Sequence, residues 1–362
     1  AGRMRRARRV RVGLVALVLL AGAAAPGAAA QAPEQLAETG LYADFAARAI
    51  DPANLPFSPQ YPLWTDGASK RRWIRLPAGT AIDARDPAAW VFPVGTKFWK
   101  EFAFERRVET RYIERVSART WLYATYLWTA DGRDARLAPE RGVRGAAESS
   151  PGVRYDVPGR GDCRICHEGR ATPVLGFTAL QLSPDRDPLA LHAERPRPGD
   201  VDLRALVARD LVRGLPASTL AHPPRIAAST PRARAALGYL QANCAICHTA
   251  SGDLASLGLD LDAPLESGPG PASALVTALG RPSRFRFKDA RHDADVRLVA
   301  GAPERSVLAL RLATRRPAAQ MPPLGTRVVD AEAVALIEAW IREDLASPPS
   351  APLSSSHREI VR

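Results

Sequence analysis

Apolar patterns between residues 36 and 160 predict β-strands. The stretch WLYATYLW (121–128) is apolar or aromatic on both faces, as expected of a strand inside a sheet. KFWKEFAF (97–104) alternates, which puts three phenylalanines on one face together with Lys100. The FPVGTKF and TADGRD segments supply turn residues. This part of the chain therefore predicts a β-rich domain of sandwich-like or jelly-roll-like type.

Helical patterns follow the β-rich region. TPRARAALGYLQAN (230–243) begins with Thr230 as a helix N-cap. DAEAVALIEAWIREDLA (330–346) begins with Asp330 as a cap, and its apolar residues recur at steps of three and four. GAPERSVLALRLA (301–313) predicts a further helix. The predicted fold class is α+β, with a β-sandwich-like N-terminal domain followed by a mainly α-helical domain.

Aromatic residues are concentrated in the β-rich region, where six of the seven tryptophans lie between residues 64 and 128. Aromatic side chains favour strands, so the simplest interpretation is a β-sheet core. The alternative is a stacking platform for a sugar or another ring-shaped small molecule. The stretch YPLWTDGASKRRWIRLPAGT (61–80) mixes Lys70 and Arg72 with aromatic rings, and it either lines a site or caps the edge of a sheet.

Residues 1–30 have the layout of a secretory signal peptide. Six arginines precede an apolar run, and the small residues Ala28, Ala29 and Ala30 form an A-x-A-like cleavage site. The alternative is an uncleaved membrane anchor, but the run becomes rich in alanine, glycine and proline after residue 20, which suits cleavage better. We therefore expect a periplasmic or secreted protein without a stable membrane span after cleavage.

The net charge gives only weak information about partners. The formal charge is +12, and the six arginines of residues 1–30 account for half of it, which leaves +6 without that segment. A charge of this size is a mild bias and does not indicate a nucleic-acid partner.

The four cysteines occur as two pairs, and each pair is followed by histidine. The pairs lie in DCRICHEG (162–169) and NCAICHTA (243–250), and the cysteines are Cys163, Cys166, Cys244 and Cys247. Four exported cysteines are compatible with two disulfides or with a zinc site, but neither accounts for the histidines. The separation of the two pairs is also longer than a zinc ribbon uses.

The C-x-x-C-H pattern is the attachment signature of c-type haem. Residues i, i+3 and i+4 of a helical turn share one face. Two thiols can then bond to the vinyl groups of one haem while the imidazole ligates its iron. The sequence thus predicts two covalently bound haem c groups, with His167 and His248 as the iron ligands.

Met321 is the predicted sixth ligand of the second iron, because thioether sulfur is an axial ligand in cytochromes c. Two prolines follow it and keep the RPAAQMPPLGTRVVD segment out of a helix. The alternative is a methionine that fills a gap in the core. No methionine lies between His167 and Met321. The first iron therefore takes a ligand from His192, His222 or His292, or it remains five-coordinate.

Residues 230–346 resemble class I cytochrome c over their whole length. Their order is helix, C-x-x-C-H motif, short helix, methionine loop and terminal helix, which is the order of that family. The resemblance implies that His248 is the proximal ligand and Met321 the distal ligand of the second haem.

The N-terminal half is similar to a family of predicted bacterial secreted dihaem cytochromes. The resemblance rests on PLWTDGASKRRWIRLPAGT, FPVGTKFWKEF, VETR and TYLW, followed by the CRICH motif. It implies a β-rich region that leads directly into the first haem motif, and it implies no particular substrate. The predicted organisation is a signal peptide (1–30), a β-rich domain (36–160), a first haem-binding segment (161–229), a class I cytochrome c-like domain with the second haem (230–346) and a disordered tail (347–362).

These observations predict a dihaem c-type cytochrome that exchanges single electrons with redox partner proteins. The alternative is a peroxidase-like haem oxidoreductase, in which the first haem is open and the β-rich domain binds a small molecule or a glycan. On the sequence alone, electron transfer is favoured over catalysis, and no catalytic residue is assigned.

Overall fold

Strands and helices occupy different parts of the chain, as the apolar patterns predicted. The structure is a computed structural model that describes residues 31–86, 89–170, 172–263, 265 and 272–346. The main sheet lies between residues 55 and 137, and the α-helices follow residue 159. The α+β class is therefore confirmed. The predicted signal peptide (1–30) and tail (347–362) lie outside the described residues.

Most strands come before the first C-x-x-C-H motif. The strands are β1 (Tyr42–Asp44), β2 (Ala49–Ile50), β3 (Leu55–Pro56), β4 (Ser69–Arg75), β5 (Ile82–Asp83), β6 (Lys97–Ala103), β7 (Arg107–Arg115), β8 (Trp121–Trp128), β9 (Ala135–Leu137), β10 (Val143–Ser150), β11 (Val153–Val157), β12 (Val212–Arg213), β13 (Pro282–Lys288) and β14 (Asp293–Val296). Six of them form one antiparallel sheet in the order β3-β4-β6-β7-β8-β9. The others pair in twos, as β1-β2, β10-β11, β12-β5 and β13-β14.

The register of the main sheet creates an aromatic face. Trp73 in β4 lies opposite Trp99 in β6, and Trp99 lies opposite Tyr112 in β7. Because side chains alternate along strands, these rings share one face, and the segment before β1 covers them. The β-core interpretation of the tryptophans is confirmed for four that are buried, namely Trp73, Trp90, Trp99 and Trp128.

The opposite face of the sheet carries charged side chains. Arg72 in β4 lies opposite Lys100 in β6, Lys100 lies opposite Arg111 in β7, and Arg111 lies opposite Thr125 in β8. We call these four residues the cross-strand row. The register also confirms that Lys100 shares its face with the two phenylalanines of β6, since these residues alternate along the strand.

The helices are concentrated in the second half of the chain. They are α1 (Arg160–His167), α2 (Leu203–Ala208), α3 (Ala217–Ala221), α4 (Pro231–Asn243), α5 (Ser273–Ala278), α6 (Val307–Leu312) and α7 (Ala331–Ala339). Both predicted caps are confirmed. Thr230 accepts a hydrogen bond from the Ala233 N–H at 3.0 Å, and Asp330 accepts one from the Ala333 N–H at 3.1 Å.

Two predicted helices differ from the structure in their details. The segment 301–313 is not one helix, because a 3₁₀ turn (Pro303–Arg305) precedes α6 and Ser306 between them has extended backbone angles. The Ser306 hydroxyl donates to the Ala302 carbonyl at 2.9 Å, which favours this break. The last helix continues beyond α7 as a π-helical turn, Trp340–Asp344.

The two halves of the chain share a core. The Tyr61 ring lies against Gly238 in the middle of α4, where a Cβ atom would come within 2.1 Å of Tyr61 Cε1. The Tyr61 hydroxyl donates to Asp187 at 3.0 Å, which holds the ring in place. Trp340 is buried in the same core. The β-rich half therefore packs directly on the helix that leads into the second motif.

Candidate haem-attachment sites

The first C-x-x-C-H motif lies on α1. The helix begins after Gly159, whose N–H donates to the Asp162 carboxylate at 3.0 Å. A Cβ atom at Gly159 would lie 2.7 Å from backbone atoms of the loop before β10, so this close approach positions the start of the helix. Cys163, Cys166 and His167 then occupy positions i, i+3 and i+4 of one helix, as predicted.

The imidazole of His167 is held through one of its nitrogens. Its Nδ1 lies 2.6 Å from the Pro173 carbonyl oxygen, so Nδ1 donates and Nε2 keeps a free lone pair. The ring packs beside Tyr123, with 5.5 Å between the ring centroids. Burial lowers the pKa of His167 to about 4, so the imidazole is neutral at neutral pH. Metal-ligating histidines have this arrangement, with the second nitrogen donating to a carbonyl.

The second motif follows the end of α4. The N–H groups of Cys247 and His248 both donate to the Cys244 carbonyl oxygen, at 3.1 and 2.9 Å. This turn keeps the helical spacing of the two thiols and the imidazole beyond the end of the helix. The His248 carbonyl accepts a hydrogen bond from the Leu261 N–H at 2.9 Å. Within the described residues, the buried His248 Nδ1 has no hydrogen-bond partner.

All four cysteines carry free thiols, and burial raises the pKa of each. The pKa rises to about 11 for Cys166 and to about 12 for Cys244, so these thiols are neutral rather than thiolate ligands. No three or more His, Cys, Asp or Glu side chains are grouped to hold a metal ion in the part of the chain that the structure describes. Two thiols and one neutral imidazole per motif fit the requirements of haem c.

The two motifs lie against one another. Gly252 follows the second motif, and a Cβ atom there would be 3.0 Å from the Gly169 carbonyl oxygen. Arg170 reaches from the first motif to the second, where its guanidinium donates to the Ala245 carbonyl oxygen and, at 3.0 Å, to Asp262 Oδ1. The sequence indicated two motifs, but it did not indicate that they are neighbours.

Asp262 connects this contact to the helix before the second motif. Its carboxylate also accepts hydrogen bonds from the Thr249 hydroxyl at 2.6 Å and from Gln241 Nε2 at 3.0 Å. Thr249 directly follows His248, and Gln241 lies on α4. One carboxylate therefore fixes α4, the second motif and Arg170 relative to each other.

Met321 lies in the loop after α6. Its N–H donates to the Arg311 carbonyl at 3.0 Å, and Arg311 Nε donates to the Ala319 carbonyl at 2.8 Å. Burial lowers the pKa of His248, and the charge of Arg311 lowers it further. Arg311 therefore bonds to the backbone of Met321 and acts electrostatically on His248.

The three histidines considered for the first iron have other surroundings. His192 Nε2 lies 2.9 Å from Asp330 Oδ2, and His292 Nδ1 lies 2.9 Å from Asp289 Oδ1. His222 is exposed at the end of α3. Two of the three candidates thus already have carboxylate partners.

The cross-strand row faces the first motif. Burial raises the pKa of the Cys163 thiol, and the charge of Arg111 and the Thr125 side chain lower it. The charges of Lys100 and Arg111 both act on the pKa of His167. Sequence reasoning identified Lys100 only as part of a strand face. Its neighbours become apparent only when the register of four strands is known.

Comparison with known proteins gives no relative of this chain. No family model matches it, and no curated protein or solved structure shows significant similarity to it. Within the described residues, no helix combines the length and the apolar character needed to cross a membrane. The evidence for the function of this protein therefore comes from the two C-x-x-C-H motifs and their geometry.

Proposed function

We propose that this protein is a periplasmic or secreted dihaem c-type cytochrome that transfers single electrons. The observation that carries the proposal is the contact between two C-x-x-C-H motifs, each with helical spacing. A haem bound at each motif supplies one-electron iron chemistry. Packing of Gly252 against Gly169 keeps the two attachment sequences close together, which favours electron transfer between the centres.

The residues of the chain hold and orient these groups. The two cysteines of each motif provide the thioether bonds, and Pro173 fixes the orientation of His167 through its Nδ1. Met321 would supply a thioether sulfur and His248 an imidazole to the second iron, and a centre with both ligands would act as an electron relay. We also propose that residues 36–160 form a sandwich-like domain and that residues 230–346 form a class I cytochrome c-like domain.

The proposed location and partners rest on the sequence pattern and on charge. The signal-peptide layout of residues 1–30 supports export. Arg160 and Arg164 on α1 are 46% and 62% exposed, and each pairs with a glutamate. Such paired charges steer an acidic redox partner only weakly.

A second candidate function is that of a peroxidase-like haem oxidoreductase. It is favoured by the carboxylate partners of His192 and His292, which leave the exposed His222 as the remaining histidine among the three candidate ligands of the first iron. A small molecule could then bind to that iron. The tryptophans give little support to a glycan-binding site in the β-rich region, because four of its six tryptophans are buried.

One set of spectra separates the two functions. The protein is purified from a host with cytochrome-maturation machinery and is titrated with cyanide when ferric and with carbon monoxide when ferrous. Entirely low-spin spectra that neither ligand changes support electron transfer. A high-spin haem that binds both ligands supports the oxidoreductase. Failure to take up and release single electrons in a redox titration would contradict the first proposal.

A further inference from the structure

Lys70 and the cross-strand row form a charge cluster that haem attachment alone does not explain. Lys70 precedes Arg72 by two residues in β4, so both side chains lie on the face that the first motif approaches. Lys70 is 5% exposed and Arg72 is 6% exposed. The chain therefore buries Lys70 and Arg72 on one side of its main sheet, beside the half-buried Lys100 and Arg111.

Two carboxylates neutralise part of this cluster. Glu109 pairs with Arg111 at 2.6 Å, and Glu194 pairs with Arg72 at 3.3 Å. The Glu109 carboxylate also accepts a hydrogen bond from the Tyr155 hydroxyl, at 2.5 Å. These two pairs account for both arginines of the cluster.

The two lysines of the cluster have no such partner. Neither Lys70 nor Lys100 forms an ion pair with any residue that the structure describes, and the Lys100 ammonium lies over the Phe102 ring, 4.8 Å from its centroid. The buried Arg72 Nη2 also has no hydrogen-bond partner. Burying a charge without a partner is strongly unfavourable. Burial accordingly lowers the pKa of Lys70 to about 8 and lowers the pKa of Lys100 below its ordinary value. A bound anion would favour the charged form of both lysines.

We propose that the cluster binds a ligand with two carboxylates. Two lysines remain without an ion-pair partner among the described residues, and carboxylates satisfy lysine ammonium groups through charge-assisted hydrogen bonds. Lys70 in β4 and Lys100 in β6 are diagonal neighbours on one face of two adjacent strands, and such positions lie about 7–8 Å apart. This separation accommodates a ligand whose carboxylates are a few bonds apart.

Two sources supply such a ligand. One is the haem of the first motif, through its two propionates, and this source rests on the proposed function. The other is a free dicarboxylate that enters a cleft of about 330 Å³, which Lys70 and Arg72 line together with Glu194, Arg197 and Asp200. Both sources present carboxylates to Lys70.

The test compares Lys70→Met and Lys100→Met with Lys288→Met. Lys288 is an exposed lysine at the end of β13, so it controls for the loss of one positive charge. Methionine keeps most of the apolar stem of lysine and needs no anion. The midpoint potential of each haem is measured by spectroelectrochemistry, and succinate binding is measured by calorimetry at constant ionic strength.

The two sources predict different results. If propionates occupy the cluster, both buried-lysine variants lower the midpoint potential of the first haem, because less positive charge favours the ferric state. Lys288→Met leaves it unchanged, and succinate does not bind. If a free dicarboxylate occupies the cleft, the wild-type protein binds succinate saturably, and Lys70→Met weakens this binding by about tenfold or more because Lys70 lines the cleft.

Unchanged potentials in both variants, together with no succinate binding to the wild-type protein, overturn the proposal. Circular dichroism checks the folding of each variant, and either buried-lysine variant is sufficient for the test. Haem-free wild-type protein would overturn the proposed function, whereas the succinate measurement would still decide the carboxylate site.

Discussion

Arg170 donates a hydrogen bond to Asp262 at 3.0 Å, and this pair joins the segment after the first motif to the segment after the second. The two side chains are 23% and 33% exposed, so water only partly screens the interaction. Two motifs that are distant in the sequence are thereby held in contact. This contact is the basis of the proposal that electrons pass between two centres.

We predict that Arg170→Met lowers the free energy of unfolding by about 1.5–3 kcal/mol, because it removes a charged hydrogen bond and the bond to the Ala245 carbonyl. Arg164→Met is the matched control. Arg164 is 62% exposed and pairs with Glu168, so its loss should cost about 0.5 kcal/mol or less. Urea denaturation measures both values. Equal effects of the two substitutions would argue against a structural role for Arg170.

Met321→Ala should lower the midpoint potential of one haem and leave the other unchanged, because a thioether ligand raises the potential of haem iron. Leu324→Ala in the same loop is the control, since Leu324 is 41% exposed and offers no ligand atom. A spectroelectrochemical titration resolves the two centres. The ligand assignment fails if both potentials are the same as in the wild-type protein.

Gly238→Ala should destabilise the protein by about 1–3 kcal/mol, because its Cβ atom would come within 2.1 Å of the buried Tyr61 ring. Gly161→Ala is the control in another helix. A Cβ atom at Gly161 meets nothing within 4 Å, so this substitution should be neutral or slightly stabilising. Thermal denaturation distinguishes the two variants. Similar melting temperatures for both would show that Tyr61 moves away without cost.

Asp66 provides a prediction about pH. Its Oδ1 accepts hydrogen bonds from the Arg327 and Val328 N–H groups, at 2.8 and 2.9 Å, and so connects the loop before β4 to the segment after Met321. Burial raises the pKa of Asp66 above its ordinary value of 3.8, although these hydrogen bonds lower it. The folded protein therefore binds this proton more tightly than the unfolded chain does.

This carboxyl group contributes stability that is fully present below the unfolded-state pKa and is lost as the pH rises through the folded-state pKa. Asp66→Asn keeps the acceptor oxygen but does not titrate. We expect the wild-type protein to lose stability relative to Asp66→Asn between about pH 3 and about pH 7. Denaturant titrations at the two pH values measure this difference. A difference that is independent of pH, or that has the opposite sign, would contradict the raised pKa.

The features that depend on neighbouring residues could be predicted from the sequence. Thr230 and Asp330 cap their helices because a cap involves residues within one turn. The spacing of the cysteines and histidines is likewise local. Alternation predicted the strand at 97–104, and a run that is apolar or aromatic on both faces predicted the strand at 121–128; the structure places them at β6 and β8.

The features that were missed depend on contacts between distant segments. The approach of Gly252 to Gly169 is not encoded in either motif. The cross-strand row requires the register of four strands, which pairing and turn geometry set. The hairpin β13-β14 was also missed, although its PSRFRFK sequence alternates Phe285 and Phe287 with arginine, which is a strand signal.

The number of haems covalently bound to each chain tests the central claim most directly. The chain is expressed with cytochrome-maturation machinery, and its intact mass is measured by mass spectrometry under denaturing conditions. We predict two haems on the wild-type chain and one on each of the variants Cys163→Ala/Cys166→Ala and Cys244→Ala/Cys247→Ala. A wild-type chain that carries no covalently bound haem would contradict the account.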